Sequence, residues 1–173
     1  GHSVVESEVG QADGAAFRAR HGIDATVKAI CVLPGSRQGE VSRLAEPFGK
    51  AMVRLHEQFP DLVAIVPTVP NVAERVKDAV KDWPLRAVVV EDPSQKFSAM
   101  AACDAGLAAS GTVTLELALA GVPYVVAYKV APVTAFFAKL LIRIPYANLI
   151  NLTAKRDIIP ELIQEKCRPE NLA

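Results

Sequence analysis

Five short apolar runs, at residues 27–33, 62–66, 87–90, 105–108 and 124–127, constrain this chain more than any other feature. Segments with helical patterning separate them: 41–59, with Leu44, Phe48, Met52 and Leu55 along one side, then 71–82 and 95–102. A further helix is expected after residue 110, and another over 134–142. Short apolar strands alternating with helices predict an α/β fold, a Rossmann-like parallel sheet with helices on both faces. Pro47 is expected to kink the first long helix or to begin a second one. Residues 1–26 are mixed and polar, with small side chains, and read as a linker or peripheral segment ahead of one domain spanning 27–173. Gly1-His2-Ser3 reads either as a remnant of expression or as the interior of a longer protein.

Composition narrows the function classes. Hydrophobic residues make up 51% of the 173, enough for a substantial core. Lys plus Arg and Asp plus Glu number 19 each, so no basic field points to nucleic acid. Three cysteines form no even framework and no metal-ligand spacing. Cys31 and Cys103 sit in apolar runs and are expected as buried free thiols, in keeping with a reducing cytoplasm, while Cys167 carries no visible chemistry. No run of 18 apolar residues is present. The nearest, 130–144, is broken by Pro132, Lys139, Arg143 and Pro145. Its Phe136, Phe137, Leu140, Leu141 and Ile144 form an apolar face that suits a core-facing helix or a surface approaching lipid.

Sheets of this kind bind ligands beyond the carboxyl ends of their strands. Two loops fall there. The first, Ser110-Gly111-Thr112-Val113-Thr114-Leu115-Glu116, reads as strand, tight turn and helix start. Free N–H groups and the helix dipole at such a start suit a phosphate. Thr112 and Glu116 are four apart and share a helical face, with Glu116 about 9 Å along the axis from Ser110. A diphosphate at the helix mouth and a sugar diol at the carboxylate fit that span. Glu116 also fits as a first-turn glutamate or as half of a structural ion pair. The second loop, Leu33-Pro34-Gly35-Ser36-Arg37-Gln38-Gly39-Glu40, carries two glycines, a hydroxyl and a guanidinium fork. Ser36 and Arg37 suit a diphosphate, and Glu40 is placed to cap the next helix or to orient Arg37. A strand-to-helix turn with a surface arginine is the plainer alternative. The loop is neither a Walker A sequence nor a dinucleotide fingerprint.

Together these motifs closely resemble the lipid-A-disaccharide synthase family. The resemblance rests on Leu33-Pro34-Gly35-Ser36-Arg37 with Glu40, Ser110-Gly111-Thr112 with Thr114-Leu115-Glu116, Gly121-x-Pro123 and Tyr128-Lys129. It extends through Pro145-Tyr146, Asn148-Leu149, Asn151 and Pro160-Glu161-Leu162-Ile163-Gln164, and covers about residues 27 to 172. Gly1-His2 is similar to a Gly-His-Pro segment near the family's domain junction, with Ser3 in place of the proline.

The resemblance implies a two-domain GT-B glycosyltransferase of which this chain is the C-terminal, donor-binding half. It implies transfer of 2,3-diacylglucosamine from its UDP donor to 2,3-diacylglucosamine 1-phosphate, giving the β-1′,6-linked lipid A disaccharide phosphate and UDP. It further implies a peripheral enzyme on the cytoplasmic face of the inner membrane in Gram-negative bacteria. No paired Asp-x-Asp metal motif occurs, and neither metal nor cofactor is expected.

Inverting transfer needs a general base for the acceptor hydroxyl and charge stabilisation for the leaving diphosphate. Ser36 and Arg37 are assigned to the diphosphate, Arg37 being the leaving-group stabiliser, helped by the backbone N–H groups of Gly111 and Thr112 and by hydroxyl contacts from Ser110 and Thr112, and Gly35 is assigned with them to substrate binding. Glu116 is assigned to the ribose. Asn151 and Gln164 match C-terminal family motifs and either line the donor cleft or serve as caps and inter-segment hydrogen bonders. Glu161, after Pro160, reads as a helix start. His2, His21 and His56 are poor bases, so the base is expected in the N-terminal half and the isolated chain is expected to be inactive. Two alternatives stay open: half of another UDP-sugar glycosyltransferase or epimerase, and a non-catalytic nucleotide-binding or membrane-docking module.

Overall fold

The structure is a computed structural model that describes residues 9–129 and 149–173. The helix expected at 134–142 and the apolar face at 130–144 lie outside the described residues. In chain order the elements are α1 (Gly14–Arg20), β1 (Ala29–Leu33), α2 (Gln38–Gln58), β2 (Val63–Pro67), α3 (Ala73–Val80) and β3 (Arg86–Val90). A 3-10 turn, Pro93–Gln95, leads into α4 (Lys96–Ala101), followed by β4 (Ala105–Ala109), α5 (Val113–Leu119) and β5 (Tyr124–Tyr128). The chain ends with α6 (Leu149–Ala154), β6 (Glu161–Ile163), a second 3-10 turn, Gln164–Lys166, and α7 (Pro169–Leu172).

The strands form one six-stranded sheet in the order β3-β2-β1-β4-β5-β6. Every pairing is parallel, with Ala29 opposite Val63 and Leu33 opposite Ala108. Strand side chains alternate between faces, and the core divides accordingly. Ile30, Val32, Ala64, Val66 and Leu107 pack with Leu44, Phe48 and Met52 of α2 and Val76 of α3. Cys31, Leu33, Ala108 and Val126 pack on the opposite face with Met100 of α4 and Leu117 of α5. All five β1 residues are buried, as an unbroken apolar run requires. The doubly covered parallel sheet expected from the sequence is present.

Part of the segment read from the sequence as linker or peripheral, residues 13–23, packs against the sheet. Within it, α1 is capped by Asp13, whose side chain accepts from the Ala16 N–H at 2.8 Å. Phe17 is only 2% exposed and packs with Ile23, Ala29, Ile65 and Val90. A Cβ on Gly14 would fall 2.4 Å from the Ala101 carbonyl oxygen, so glycine lets α1 approach the end of α4. Arg18 completes the joint. Its Nε donates to the Ala102 carbonyl at 2.7 Å, its Nη1 to the Val27 carbonyl at 2.7 Å, and its Nη2 meets Asp104 at 3.1 Å. Asp104 also accepts from the Ala29 N–H at 2.8 Å. Burial pushes the Asp104 carboxyl up, but the Ala29 N–H, Lys28 and Arg18 outweigh it and hold the group below the ordinary carboxylate value. Sequence reading missed this joint because one phenylalanine in a polar segment shows no periodicity.

Two further expectations change. Helix α2 runs unbroken from Gln38 to Gln58 with Pro47 inside it, so no second helix begins there. Pro47 is buried among Leu44, Phe48 and Ala51, and tertiary packing offsets its missing N–H. Pro160-Glu161 opens a strand, not a helix: Glu161 pairs with Val126, and the Val126 N–H donates to the Pro160 carbonyl at 3.0 Å. Three residues are too few for the pattern of a strand to be legible. All three cysteines are free; Cys31 and Cys167 are buried and Cys103 half-buried. Hydrogen bonding to Cys103 and burial push the Cys31 thiol well above its ordinary value. Among the described residues no helix is long and apolar enough to cross a membrane.

Because Phe17 closes one end of the core, Phe17→Ala is expected to destabilise the chain by about 3–5 kcal/mol. Denaturant unfolding with an unchanged slope measures this, and a loosely attached segment would give no shift in midpoint.

Candidate active site: a cavity at the strand carboxyl ends

The strand order reverses direction between β1 and β4, and a cavity of about 460 Å³ opens at their carboxyl ends. Four strand ends contribute to it: Leu33 to Glu40 after β1, Pro67 to Pro70 after β2, Val90 to Lys96 after β3, and Ala109 to Glu116 after β4. Gly35, Ser36, Arg37, Ser110, Gly111, Thr112 and Glu116, the expected diphosphate and ribose groups, all line it. Both sequence-predicted loops thus meet in one space.

The β1 loop is built around Glu40. Its Oε2 accepts from the Ser36 and Arg37 N–H groups at 3.1 and 3.2 Å, and its Oε1 from Arg37 Nη1 at 3.0 Å. Glu40 therefore both caps α2 and orients Arg37. Gly35 adopts φ +116°, and a Cβ there would lie 2.7 Å from the Glu40 Cβ, so only glycine accommodates this fold of the loop. Arg37 is 81% exposed on its side chain and reaches into solvent beside the cavity. Asn71 ties the neighbouring loop in place, donating to the Ser36 carbonyl at 2.8 Å and accepting from Gln38 at its own carbonyl.

The β4 loop turns sharply at Gly111, and Thr114 is buried with its hydroxyl donating to the Gly111 carbonyl at 2.7 Å. This fixes the first turn of α5 and aims Glu116 at the cavity. Glu116 is 22% exposed and its Oε2 is ion-paired with Lys96 Nζ. Lys96 is 33% exposed and lines the cavity as well. The structure thus supplies the partner that a half-buried carboxylate requires. Sequence reading did not single out Lys96. The rule that ligands meet the carboxyl ends of all the strands, applied to the loop after β3, was the signal available.

Asp92 sits on the same wall but serves its own turn. It accepts from the Ser94 N–H and hydroxyl at 2.9 and 2.7 Å and from Gln95 at 3.0 Å. The Ser94 hydroxyl, the Gln95 amide and the Ser94 N–H hold its carboxyl below the ordinary value. The Thr68 hydroxyl, also on the wall, is buried and has no hydrogen-bond partner among the described residues. No group of three or more His, Cys, Asp or Glu side chains among the described residues is placed to hold a metal ion.

Asn151 and Gln164 are not among the lining residues. Asn151 is fully buried and acts as a clip. Its Oδ1 accepts from the Ile158 and Ile159 N–H groups, both at 2.9 Å. Its Nδ2 donates to the Ile159 carbonyl at 2.7 Å and to Glu161 Oε1 at 2.8 Å. The inter-segment role weighed for it is the one observed. Gln164 adopts φ +51° and turns the chain from β6 into the second 3-10 turn, its carbonyl accepting from the Cys167 N–H at 3.1 Å. His21 stacks on Phe17 with ring centroids 4.3 Å apart, and neither it nor His56 lines the cavity. His2 lies outside the described residues.

Truncating Asn151 takes the acceptor from two part-buried N–H groups, those of Ile158 and Ile159, so Asn151→Ala is expected to cost about 1–3 kcal/mol. Hydrogen exchange should show the amides of Ile158 and Ile159 losing protection while those of β1 keep theirs.

Comparison with known proteins agrees with this architecture. The chain is 50% identical, over its whole length, to the lipid-A-disaccharide synthase of Paramagnetospirillum magneticum, and covers 45% of that protein. It is 48% identical to the synthase of Rhodospirillum centenum, again over its whole length, and covers 43% of it. The chain therefore spans less than half the length of these relatives. Among solved structures, Acinetobacter baumannii MurG matches 95% of the chain at 19% identity with a TM-score of 0.57, the chain covering 44% of it. That likeness is one of fold, a parallel sheet covered by helices. The lipid-A-disaccharide synthetase family profile matches residues 1–173, and the chain belongs to that family.

Proposed function

We propose that this chain is the donor-binding half of a glycosyltransferase of lipid A synthesis, and that its cavity takes the UDP moiety of UDP-2,3-diacylglucosamine. The observation that carries this reading is the convergence of the two glycine-containing loops, with Arg37 and Glu116, on one cavity at the strand-order reversal. The cavity volume lies within the range of small-molecule sites.

In this reading Glu116 accepts hydrogen bonds from the ribose diol. Arg37, Ser36 and the backbone N–H groups of Gly111 and Thr112 meet the diphosphate, with Ser110 adding its hydroxyl. The acceptor, 2,3-diacylglucosamine 1-phosphate, attacks the anomeric carbon through its hydroxyl. The new C–O bond forms as the bond to the β-phosphate breaks, and UDP leaves carrying the electron pair. Arg37 stabilises the charge that develops on that leaving diphosphate. The acceptor proton passes to a base, which this reading assigns to the N-terminal half of the enzyme. The same half completes the acceptor side, and the enzyme works peripherally at the cytoplasmic face of the inner membrane, where both lipid substrates reside. Neither metal nor cofactor enters the scheme.

Calorimetric titration tests the assignment. Arg37→Ala should weaken UDP about 10-fold or more and uridine hardly at all, because the lost contact is to phosphate. Glu116→Gln should weaken both by a similar factor, because both carry ribose. An unchanged UDP-to-uridine preference in Arg37→Ala would remove Arg37 from the diphosphate. With both lipid substrates supplied, the isolated chain is expected to form no disaccharide, and measurable product would overturn the assignment of the base to the other half.

A further inference from the structure

Lys96 reaches the cavity from the segment that follows β3. Asp92 and Pro93 set the 3-10 turn that ends at Gln95, and Lys96 is the first residue of α4. Phe97, Ala99 and Met100, all buried, pin that short helix to the sheet. The Lys96 backbone is therefore fixed, and its ammonium lies 5.6 Å from the centre of the Phe97 ring. From there it reaches across to Glu116 Oε2 on α5. A solvated lysine keeps its rotamer freedom, whereas this one is extended over an aromatic ring toward a single carboxylate oxygen.

The contact is one-sided. It engages Oε2 alone, and the Glu116 carboxylate makes no other side-chain contact among the described residues, so Oε1 is the oxygen offered to a ligand in the cavity. A carboxylate on a flexible glutamate must be held in one plane to accept well from a vicinal diol, whose two oxygens have a fixed separation. The cation at Oε2 provides that restraint, and it comes from a different strand end than the glutamate does.

We infer that Lys96 is a positioning residue for the nucleoside subsite: it orients Glu116 so that the cavity selects a ribose diol. This rests on the reading of Glu116 as the ribose acceptor. Lys96 thereby acts on sugar selectivity and not on phosphate affinity, which separates it from Arg37.

The test compares UDP with 2′,3′-dideoxy-UDP, whose sugar lacks both hydroxyls, by calorimetric titration into the unchanged chain, Lys96→Met and Lys96→Arg. The unchanged chain should prefer UDP by about 10- to 100-fold, the range for hydrogen bonds to a charged acceptor. In Lys96→Met, which keeps most of the stem and its packing, the preference should collapse to about threefold or less. Lys96→Arg should recover most of it. Thermal unfolding reports separately on any effect on the fold. If Lys96→Met retains the full preference, or weakens both ligands equally, Lys96 is not positioning Glu116 and the inference is overturned. If the unchanged chain shows no preference for UDP, or does not bind it, the ribose reading of Glu116 fails first and takes this inference with it.

Discussion

The reversal of strand order at β1 is the constraint on which the rest depends. The path β1-α2-β2-α3-β3 steps outward in one direction, and the crossover through α4 then carries the chain back past β2 and β1 to β4. Parallel crossovers share one hand, so reversing the direction of travel moves the connecting helix to the other face of the sheet. The packing records this: α2 and α3 cover Ile30 and Val32, whereas α4 and α5 cover Cys31 and Leu33. The chain leaving β1 must turn toward one face and the chain leaving β4 toward the other. The gap between those turns is the cavity. Its position follows from connectivity, and its chemistry from the residues that occupy the two turns.

Much of this was legible from the sequence because fully buried strands cannot disguise themselves. The runs in β1, β2 and β4 are apolar on every residue, and the two loops carry glycine where a side chain would collide or strain, Gly35 being the clearest case. What escaped was determined by single tertiary contacts. Phe17 is one aromatic in a polar segment, yet it fills a gap in the core. Pro47 carries a local signal against helix continuity, and the packing of Leu44 and Phe48 around it prevails. Lys96 resembles any helix-start lysine until Glu116, twenty residues on, is brought beside it. Asn151 belonged to a recognisable motif, but its partners at Ile158, Ile159 and Glu161 reveal a clip for the last strand and not a cavity wall.

Three carboxylates, Glu40, Asp92 and Glu116, line a site proposed for a diphosphate, and each is held by partners within the protein. Glu40 is held by Arg37 and two backbone N–H groups, and Glu116 by Lys96. Glu40 and Glu116 are each matched to a cation, whereas Asp92 is satisfied by Ser94 and Gln95 of its own turn. The chain as a whole carries equal numbers of acidic and basic residues, so no strong field draws a nucleotide in. Affinity must then come from exchange of partners at short range. In the β1 loop the Glu40 carboxylate already occupies N–H groups that a phosphate oxygen would use, so the entering anion either shares Arg37 with it or displaces it. In the α5 region the exchange is different, because a ribose diol can add to Glu116 at Oε1 while Lys96 keeps Oε2. The two ends of the ligand thus meet opposite conditions: competition with an internal anion at the phosphates, and addition to a prepared ion pair at the sugar. Discrimination should consequently be sharper at the ribose than at the diphosphate. On the proposed reading it is set by the geometry of one ion pair, not by the net charge of the cavity.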